Sequence, residues 1–447
     1  MKIVLLSGCS GWRLWPLSNE SRSKQFLKLL SNGCSVRESM IQRVARQIRE
    51  FGEADGENVY IVTAESQADS IRKQLGPDTN IIYEPERRDT FPALAIACES
   101  LLQNKLAALD ETIVVMPIDT YADDDFYRLI AKLDKEIQSD STDIALIGTK
   151  PTYPSAKYGY ISCGNDTATV SVFKEKPSED EAETLMVKGA YWNTGVAAFK
   201  LCFMHDYIEN CIGKIESLDS FVHLFDRLPQ RSFDYEILEN CHNMKMISYD
   251  GKWKDLGTWN TLTEEMDEQS IGHVRQVEEC YNTHVINELS IPILVMGAKD
   301  MVVAASPDGI LVSDKHKSSY IKPYVQQMET RPMYEERKWG EYKVLDYNQY
   351  GDGMKSLTKH LTISAGKSIS YQKHFRRDEI WTIVDGEGDL LIDDEIRHMQ
   401  RGDVAYIRKG QKHALKADDD KDLQFIEVQI GPELVEDDIE RFNWKWK

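Results

Sequence analysis

The chain has 447 residues, of which 29% are charged and 41% hydrophobic, and its formal net charge is −20. This length allows two or three domains that each bury a core. The acidic excess argues against nucleic acid or an anionic membrane as a partner, but it allows a single nucleotide in a locally basic cleft. The sequence has no long apolar run and no export leader, and its eight cysteines are scattered, so we expect a cytoplasmic protein with reduced thiols.

A glycine-containing loop near the start is the first candidate for chemistry. Residues 3–6 form a short apolar run that predicts a buried strand. The loop after it offers small residues, which let backbone N–H groups approach a phosphate, and positive side chains: Ser7, Gly8, Ser10, Gly11, Arg13, Arg22 and Lys24. The alternative is an ordinary turn with solvated charges, because the glycine spacing fits neither the dinucleotide fingerprint nor the P-loop.

The stretch SGCSGWRLWPLSNESRSKQF, residues 7–26, resembles the signature of the sugar-1-phosphate nucleotidyltransferase family. The resemblance is strongest to the mannose-1-phosphate guanylyltransferase branch, in which RLWP and KQF occur together. It implies that a nucleoside triphosphate and a sugar-1-phosphate react with the help of Mg²⁺. It also implies that Ser7, Gly8, Ser10 and Gly11 belong to the nucleotide site. By the same resemblance Arg13 stabilises charge on the triphosphate, and Lys24 lies near the phosphates.

Residues 1–265 alternate between apolar strands and helical stretches. Strands are predicted at 59–63, 80–83, 112–116 and 144–148, and helices at 66–75 and 92–106. Such alternation is typical of an α/β domain with a mostly parallel sheet, here Rossmann-like, in which ligands bind beyond the carboxyl ends of the strands. The loop described above and the acidic residues below should therefore share one crevice.

The segment EPERRDT follows the third predicted strand. It resembles the family's EP…R-[ND]-T element, which implies that Glu84, Arg88, Asp89 and Thr90 lie near the base and ribose. The alternative is a charged turn in which Asp89 or Thr90 caps the following helix. The two interpretations are compatible.

Two aspartates are the candidate Mg²⁺ ligands. The buried strand TIVVMP is followed by Asp119, and a carboxylate there can hold this hard cation. Residues 123–125 are predicted to be a solvated helix start. The segment WKDLGTW resembles the family's W-x-D-x-G-x-W, which implies that Asp255 is the second metal carboxylate and lies beside Asp119.

Three further elements resemble the family's sugar-phosphate site: YGY, FKEKP and WNTG. The implied ligands are Tyr158, Gly159, Glu175, Lys176, Asn193 and Gly195, with Lys176 on the phosphate and Glu175 on sugar hydroxyls. These roles suit the two side chains, because lysine carries a compact positive charge for a phosphate and a carboxylate accepts hydrogen bonds from hydroxyls. The alternative is a surface hairpin with an exposed ion pair. The element SFDY, residues 232–235, is expected to serve packing and a helix start.

Two smaller segments follow. Residues 266–330 are strand-rich without helical periodicity, which resembles the short β-helical segment of this branch and suggests packing or contact in a homo-oligomer. Residues 335–447 contain short strands and turns that predict a small β-barrel. Their glycine and histidine spacing resembles the two motifs of cupins.

A metal site is expected in this cupin. Gln372, His374, Glu379 and His413 would offer a donor set that is suited to Zn²⁺ or another divalent ion. The Gln-x-His form resembles phosphomannose isomerases, although Phe375 and Arg376 replace a richer histidine run of the bifunctional relatives. A metal-free cupin kept for oligomer contacts is the alternative.

The sequence favours a mannose-1-phosphate guanylyltransferase that forms GDP-mannose and pyrophosphate. Alternatives are a bifunctional enzyme with added isomerase activity, a transferase for another sugar or base, and a non-catalytic sensor of sugar nucleotides. Intact Asp119, Lys176 and Asp255 argue against the sensor.

Overall fold

The computed structural model describes residues 1–8, 11–19, 22–33, 36–52, 56–139, 141–164, 166, 168–328 and 331–446. The chain forms two compact units, and both are discontinuous along the sequence. The first comprises Met1–Leu14, Ser23–Gln269 and Lys315–Tyr320. The second comprises Trp15–Arg22, Ser270–Asp314 and Ile321–Lys447.

The first unit is a mixed array of strands and helices. Its strands are β1 (Lys2–Leu6), β2 (Leu30–Ser31), β3 (Arg37–Glu38), β4 (Val59–Thr63), β5 (Asn80–Tyr83), β6 (Thr112–Pro117), β7 (Thr120–Ala122), β8 (Ile144–Thr149), β9 (Tyr160–Cys163), β10 (Val170–Lys174), β11 (Tyr191–Lys200), β12 (Met244–Tyr249) and β13 (Trp253–Asp255). Its helices are α1 (Met40–Phe51), α2 (Ala68–Leu75), α3 (Thr90–Gln103), α4 (Asp124–Tyr127), α5 (Leu129–Gln138), α6 (Glu179–Val187), α7 (Leu201–Ile212), α8 (Leu218–Leu224) and α9 (Trp259–Thr263). No helix among the described residues is long and apolar enough to cross a membrane.

One large sheet organises this unit. Its main order is β10-β9-β11-β6-β1-β4-β5, and β8 lies between β11 and β12. Strands β6, β1, β4 and β5 run parallel, as do β8 and β12, whereas β11 enters antiparallel beside β6 and β8. Helix α3 is buried over almost its whole surface, because it packs both against β1, β4 and β5 of this sheet and against helices α7 and α8. The mostly parallel, Rossmann-like sheet that the alternating pattern predicted is thus present.

The predicted elements of this unit agree with the structure to within a few residues. The strand predictions at 59–63 and 80–83 match β4 and β5. Helix α3 begins two residues before the predicted position, because Asp89 caps it with a carboxylate that accepts from the Thr90 N–H at 2.7 Å. The acidic run 123–125 lies at the start of α4, as predicted.

The second unit begins with short stacked strands. These are β14 (Ser270–Ile271), β15 (Val274–Val277), β16 (His284–Asn287), β17 (Ile293–Met296), β18 (Met301–Ser306) and β19 (Gly309–Asp314), followed by helix α10 (Lys322–Val325). Strands β14, β16 and β18 are parallel and in register, as are β15 and β17, which is the stacking expected of a β-helical segment. Arg22 belongs to this unit, where it donates two hydrogen bonds to Glu288 at 2.7 and 3.0 Å.

The remainder of the second unit is a two-sheet barrel. Its strands are β20 (Tyr334–Arg337), β21 (Gly340–Gln349), β22 (Lys355–Ile363), β23 (Tyr371–Lys373), β24 (Asp378–Asp385), β25 (Glu387–Ile392), β26 (Glu395–Gln400), β27 (Val404–Ile407), β28 (His413–Ala417), β29 (Leu423–Gly431) and β30 (Glu440–Phe442). One sheet has the order β20-β21-β22-β29-β24-β27 and the other β26-β25-β28-β23-β30. Trp381 and Phe425 of the first sheet pack with Leu415 of the second, so the core lies between the sheets, as in the predicted cupin barrel.

Candidate active site

The two predicted metal carboxylates lie together at the end of the central sheet. Asp119 lies two residues beyond the end of β6, and β13 pairs antiparallel with β7 so that Asp255 lies opposite Thr120. Both aspartates line one cavity of about 270 Å³. Among the described residues, Asp255 Oδ1 is buried without a hydrogen-bond partner. Mg²⁺ is a hard cation that binds carboxylate oxygens. The two aspartates, one with an oxygen that accepts no hydrogen bond from the described residues, therefore fit this cation.

Two basic residues of the glycine-containing segment face these carboxylates. The Lys24 ammonium lies 2.5 Å from Asp119 Oδ2 and only 4% of the residue is exposed. Burial by itself would raise the pKa of Asp119, but the positive charges of Lys24 and Arg13 lower it below its ordinary value. Burial raises the pKa of Asp255, where Lys24 opposes the effect and the charge of Asp119 adds to it. The site therefore holds one carboxylate, Asp119, whose ionised form is favoured, and a second, Asp255, whose ionised form is disfavoured.

The same cavity contains the predicted sugar-phosphate residues. Tyr158, Gly159, Glu175, Lys176, Asn193 and Gly195 all line it. The Lys176 ammonium lies 2.6 Å from Glu175 Oε1. A Cβ atom at Gly159 would lie 2.5 Å from Glu175 Oε2, so this position must be glycine for Glu175 to keep its place. Gly195 has φ of +77° and lies against Pro117, where a larger residue would be strained.

One carboxylate in this cavity had been assigned to packing from the sequence. Asp234 starts a short π-helix, Asp234–Leu238, and accepts a hydrogen bond from Asn193 Nδ2 at 2.8 Å. Burial raises the pKa of Asp234, although Lys176 opposes the effect. Burial and the charge of Asp234 also raise the pKa of Glu175 to about 7. Asp234 therefore lines the cavity in addition to starting the short helix that the sequence predicted.

A second cavity of about 300 Å³ adjoins the first, and the two share Pro117, Asn193, Gly195 and Asp234. Its other walls include Ser7, Gly8, Glu84, Arg87, Asp89 and Thr90. Glu84 is 8% exposed, and its Oε1 atom has no hydrogen-bond partner in the part of the chain that the structure describes. Burial raises the pKa of Glu84 to about 7, against the effect of Arg87.

The remaining predicted nucleotide residues are distributed unevenly. Arg88 points away from this cavity and donates to the backbone carbonyls of Asp226 and Leu228, while its neighbour Arg87 lines the cavity. Gly11 and Arg13 lie in a short 3₁₀ helix, Gly11–Leu14. Ser10 lies outside the described residues. Of these two adjacent arginines the structure places Arg87 at the cavity, and a nucleotide role for Arg88 stays a prediction.

The cupin contains a buried cluster of the predicted metal donors. One ligand atom each of His374, Glu379 and His413 lies within 4.8 Å of the other two. The Nδ1 atom of His374 is 2.5 Å from the carbonyl oxygen of Asp438, which leaves Nε2 as an electron-pair donor. Burial would raise the pKa of Glu379, but His413, His374 and Arg377 hold it well below its usual range. An ionised carboxylate and two imidazoles fit a divalent cation.

Two neighbours modify this cluster. Gln372 Nε2 lies 3.4 Å from His374 Nε2, and Gln372 Oε1 accepts from the Ser370 hydroxyl at 2.7 Å. The Arg377 guanidinium donates to Glu379 Oε1 at 2.8 Å and lies 3.2 Å from His374 Nε2. A cation bound between the histidines would therefore have to displace Arg377 from His374.

Comparison with protein families agrees with this geometry. A family model described as nucleotidyl transferase matches residues 2–270. The chain belongs to this family. A second family model, described as mannose-6-phosphate isomerase C-terminal, matches residues 326–444. The first match therefore identifies the protein as a nucleotidyl transferase enzyme. The second match covers the residues that form the barrel of the second unit.

Several curated proteins resemble this nucleotidyl transferase over nearly their whole length. The xanthan biosynthesis protein XanB of Xanthomonas campestris is 30% identical, with 98% of this chain and 97% of the relative covered. A mannose-1-phosphate guanylyltransferase of Salmonella montevideo is 29% identical, with 99% and 98% covered. A Thermus thermophilus structure titled mannose-1-phosphate geranyltransferase superposes with a TM-score of 0.59 at 24% identity, over 74% of this chain and 100% of that chain. The last comparison supports the fold alone.

Proposed function

We propose that the protein transfers a guanylyl group from GTP to mannose-1-phosphate and releases pyrophosphate. The observation that carries this proposal is the pair of adjoining cavities, one with a buried carboxylate suited to a base and one with two metal carboxylates and the sugar residues. Full-length relatives that are named mannose-1-phosphate guanylyltransferase support the choice of sugar and base.

Positioning and charge stabilisation are sufficient for this reaction. An oxygen of the sugar phosphate attacks the α-phosphorus in line, and no covalent protein nucleophile is needed. Mg²⁺, held by Asp119 and Asp255, would supply positive charge to the phosphate oxygens. We propose that Arg13 and Lys24 stabilise negative charge on the triphosphate and that Lys176 anchors the sugar phosphate. Glu175 and Asn193 would hold sugar hydroxyls, since both residues line the same cavity.

Glu84 supports guanine as the base. Guanine presents two adjacent N–H donors on one edge, and a buried carboxylate can accept both. Uracil and thymine place a single N–H between two carbonyl oxygens, which a carboxylate would repel. The Glu84 oxygen that lacks a partner among the described residues is therefore best matched by GTP. Replacing Glu84 by glutamine should shift the preference from GTP toward UTP, measured as the ratio of kcat/KM values.

The first test is pyrophosphate release across a matrix of nucleoside triphosphates and sugar-1-phosphates with Mg²⁺. A clear maximum for GTP and mannose-1-phosphate would support the proposal. Activity with another pair would keep the mechanism and overturn the substrate. Silence across the matrix would favour the non-catalytic sensor.

The cupin cluster favours a second candidate activity, the isomerisation of fructose-6-phosphate to mannose-6-phosphate. The support is the buried set of His374, Glu379 and His413. A coupled isomerase assay, with metal analysis of the purified protein, tests it directly. Loss of both activity and bound Zn²⁺ in His374→Ala would support an isomerase, whereas bound metal without activity would leave a structural site.

The segment of short strands supports a homo-oligomer. The outer strand β19 exposes Ile310 and Val312, which are 57% and 63% accessible. Exposed apolar side chains on an edge strand favour pairing with another chain. Light scattering of the purified protein would show whether it is larger than a monomer.

A further inference from the structure

A lysine that the sequence did not single out lies between two cavities of the first unit. Lys157 lines the metal and sugar cavity, and it also lines a larger outer cavity of about 750 Å³. Tyr158, Trp253 and Asp255 are the other residues that both cavities share. Lys157 therefore lies at the metal end of the sugar-phosphate site. The positive charge of Lys157 is also among those that act on Asp255.

The backbone around Lys157 is fixed in place. Its N–H donates to Ser155 Oγ at 3.2 Å, and the Ser155 N–H donates to the hydroxyl of Tyr160, which is fully buried in the core. The Lys157 ammonium lies over the ring of Tyr320, 5.5 Å from its centroid. Tyr320 belongs to the segment Lys315–Tyr320, which follows the β-helical strands in the sequence but is part of the first unit.

Among the described lysines at or beside this cavity, Lys157 is the one that a carboxylate does not neutralise. Lys24 is paired with Asp119, and Lys176 is paired with Glu175 and lies near Asp234. Among the described residues, the Lys157 ammonium has the Tyr320 ring as its neighbour and forms no ion pair with a carboxylate. The cavity has four carboxylates, so a phosphate dianion entering it needs positive charge that is not already neutralised.

We infer that Lys157 is a further phosphate-binding residue, which contacts the phosphate of the sugar-1-phosphate at the end opposite Lys176. This inference rests on the proposed function. Lys176 alone would face the phosphate with its charge offset by Glu175 and Asp234. Lys157 supplies the second charge beside the metal carboxylates, where the reacting phosphate oxygen must lie.

The test is steady-state kinetics of Lys157→Met and Lys157→Arg with the substrate pair that the wild type uses best. Lys157→Met would lose one charged hydrogen bond to the phosphate. This loss should raise the KM for the sugar-1-phosphate about tenfold. The KM for the triphosphate should stay unchanged, and Lys157→Arg should restore most of the loss. The matched control is Lys150→Met, because Lys150 lines only the outer cavity and is paired with exposed Asp250.

Tyr320→Leu separates binding from a structural role, because it removes the ring beneath Lys157 and keeps the ammonium. An equal loss in Tyr320→Leu and Lys157→Met, not rescued by arginine, would overturn the inference. An unchanged sugar-1-phosphate KM, or a rise in the triphosphate KM instead, would also overturn it while the proposed function stood. A wild type that releases no pyrophosphate with any substrate pair would overturn both.

Discussion

Replacing Asp255 by asparagine should affect stability and activity in opposite directions. The side chain keeps its shape but loses its negative charge beside Asp119. In the metal-free protein that charge is unfavourable, because burial raises the pKa of Asp255 and its Oδ1 atom has no partner among the described residues. Asparagine keeps an acceptor oxygen there but ends the repulsion between the charges of Asp255 and Asp119, so we expect the free energy of unfolding to rise by about 1 kcal/mol.

Activity should fall steeply in the same variant. If Asp255 holds the metal that neutralises the phosphates, its loss removes several kcal/mol of transition-state stabilisation, and kcat should fall by about 10³-fold. Mg²⁺ and GTP together should raise the melting temperature of the wild type but not of the variant, because ligands stabilise only a protein that binds them. Urea denaturation, thermal shift and pyrophosphate release measure the three quantities.

The matched control is Asp250→Asn, because Asp250 is exposed and paired with the exposed Lys150. This variant should keep wild-type turnover and its thermal response to Mg²⁺ and GTP. Near-normal turnover in Asp255→Asn would remove Asp255 from the metal role. A loss of stability comparable to that of a core mutation would refute the electrostatic reasoning, because Asp255 would then be structurally required.

Three further outcomes are expected. Because Glu84 has a pKa of about 7 and must be ionised to accept from the base, the KM for GTP should rise about tenfold between pH 8 and pH 6, and Glu84→Gln should flatten this profile. Gly159→Ala should push Glu175 aside and raise the KM for the sugar-1-phosphate, with little change in the KM for GTP, as initial-rate kinetics would show. Trp381→Ala should remove the fully buried ring that contacts His413 and Phe425, which should destabilise the cupin by about 3–5 kcal/mol in urea denaturation and release any bound metal.

The sequence predicted those parts of the site that follow regular strands. Asp119 comes two residues after a buried strand, so its place at the sheet edge follows from alternation alone. The position of Asp255 beside Asp119 follows only from the resemblance of WKDLGTW to the family's motif. No local sequence pattern shows that β13 pairs with β7.

The residues whose orientation the sequence did not show lie where periodicity gives no guidance. Arg87 and Arg88 are adjacent in an irregular turn, and only the folded chain shows which one faces the cavity. Asp234 reaches the cavity from a π-helix, whose period differs from that of an α-helix. Arg22 looked like part of a phosphate-binding cluster, but its charge is matched by Glu288, which is far away in the sequence.

The discontinuity of the two units bears on how this enzyme can be divided. Residues 15–22 leave the first unit directly after Leu14, and the chain returns at Ser23. Within the second unit the Ser306 hydroxyl donates to the Pro16 carbonyl, and Asn19 donates to Asp308. A protein cut after residue 265 would keep every proposed catalytic side chain but would lose these anchors of the segment that joins Arg13 to Lys24. Residues 1–265 are therefore not expected to fold fully on their own. Expressing them alone, or fusing them to another protein, should give a chain in which the segment between Arg13 and Lys24 is poorly ordered.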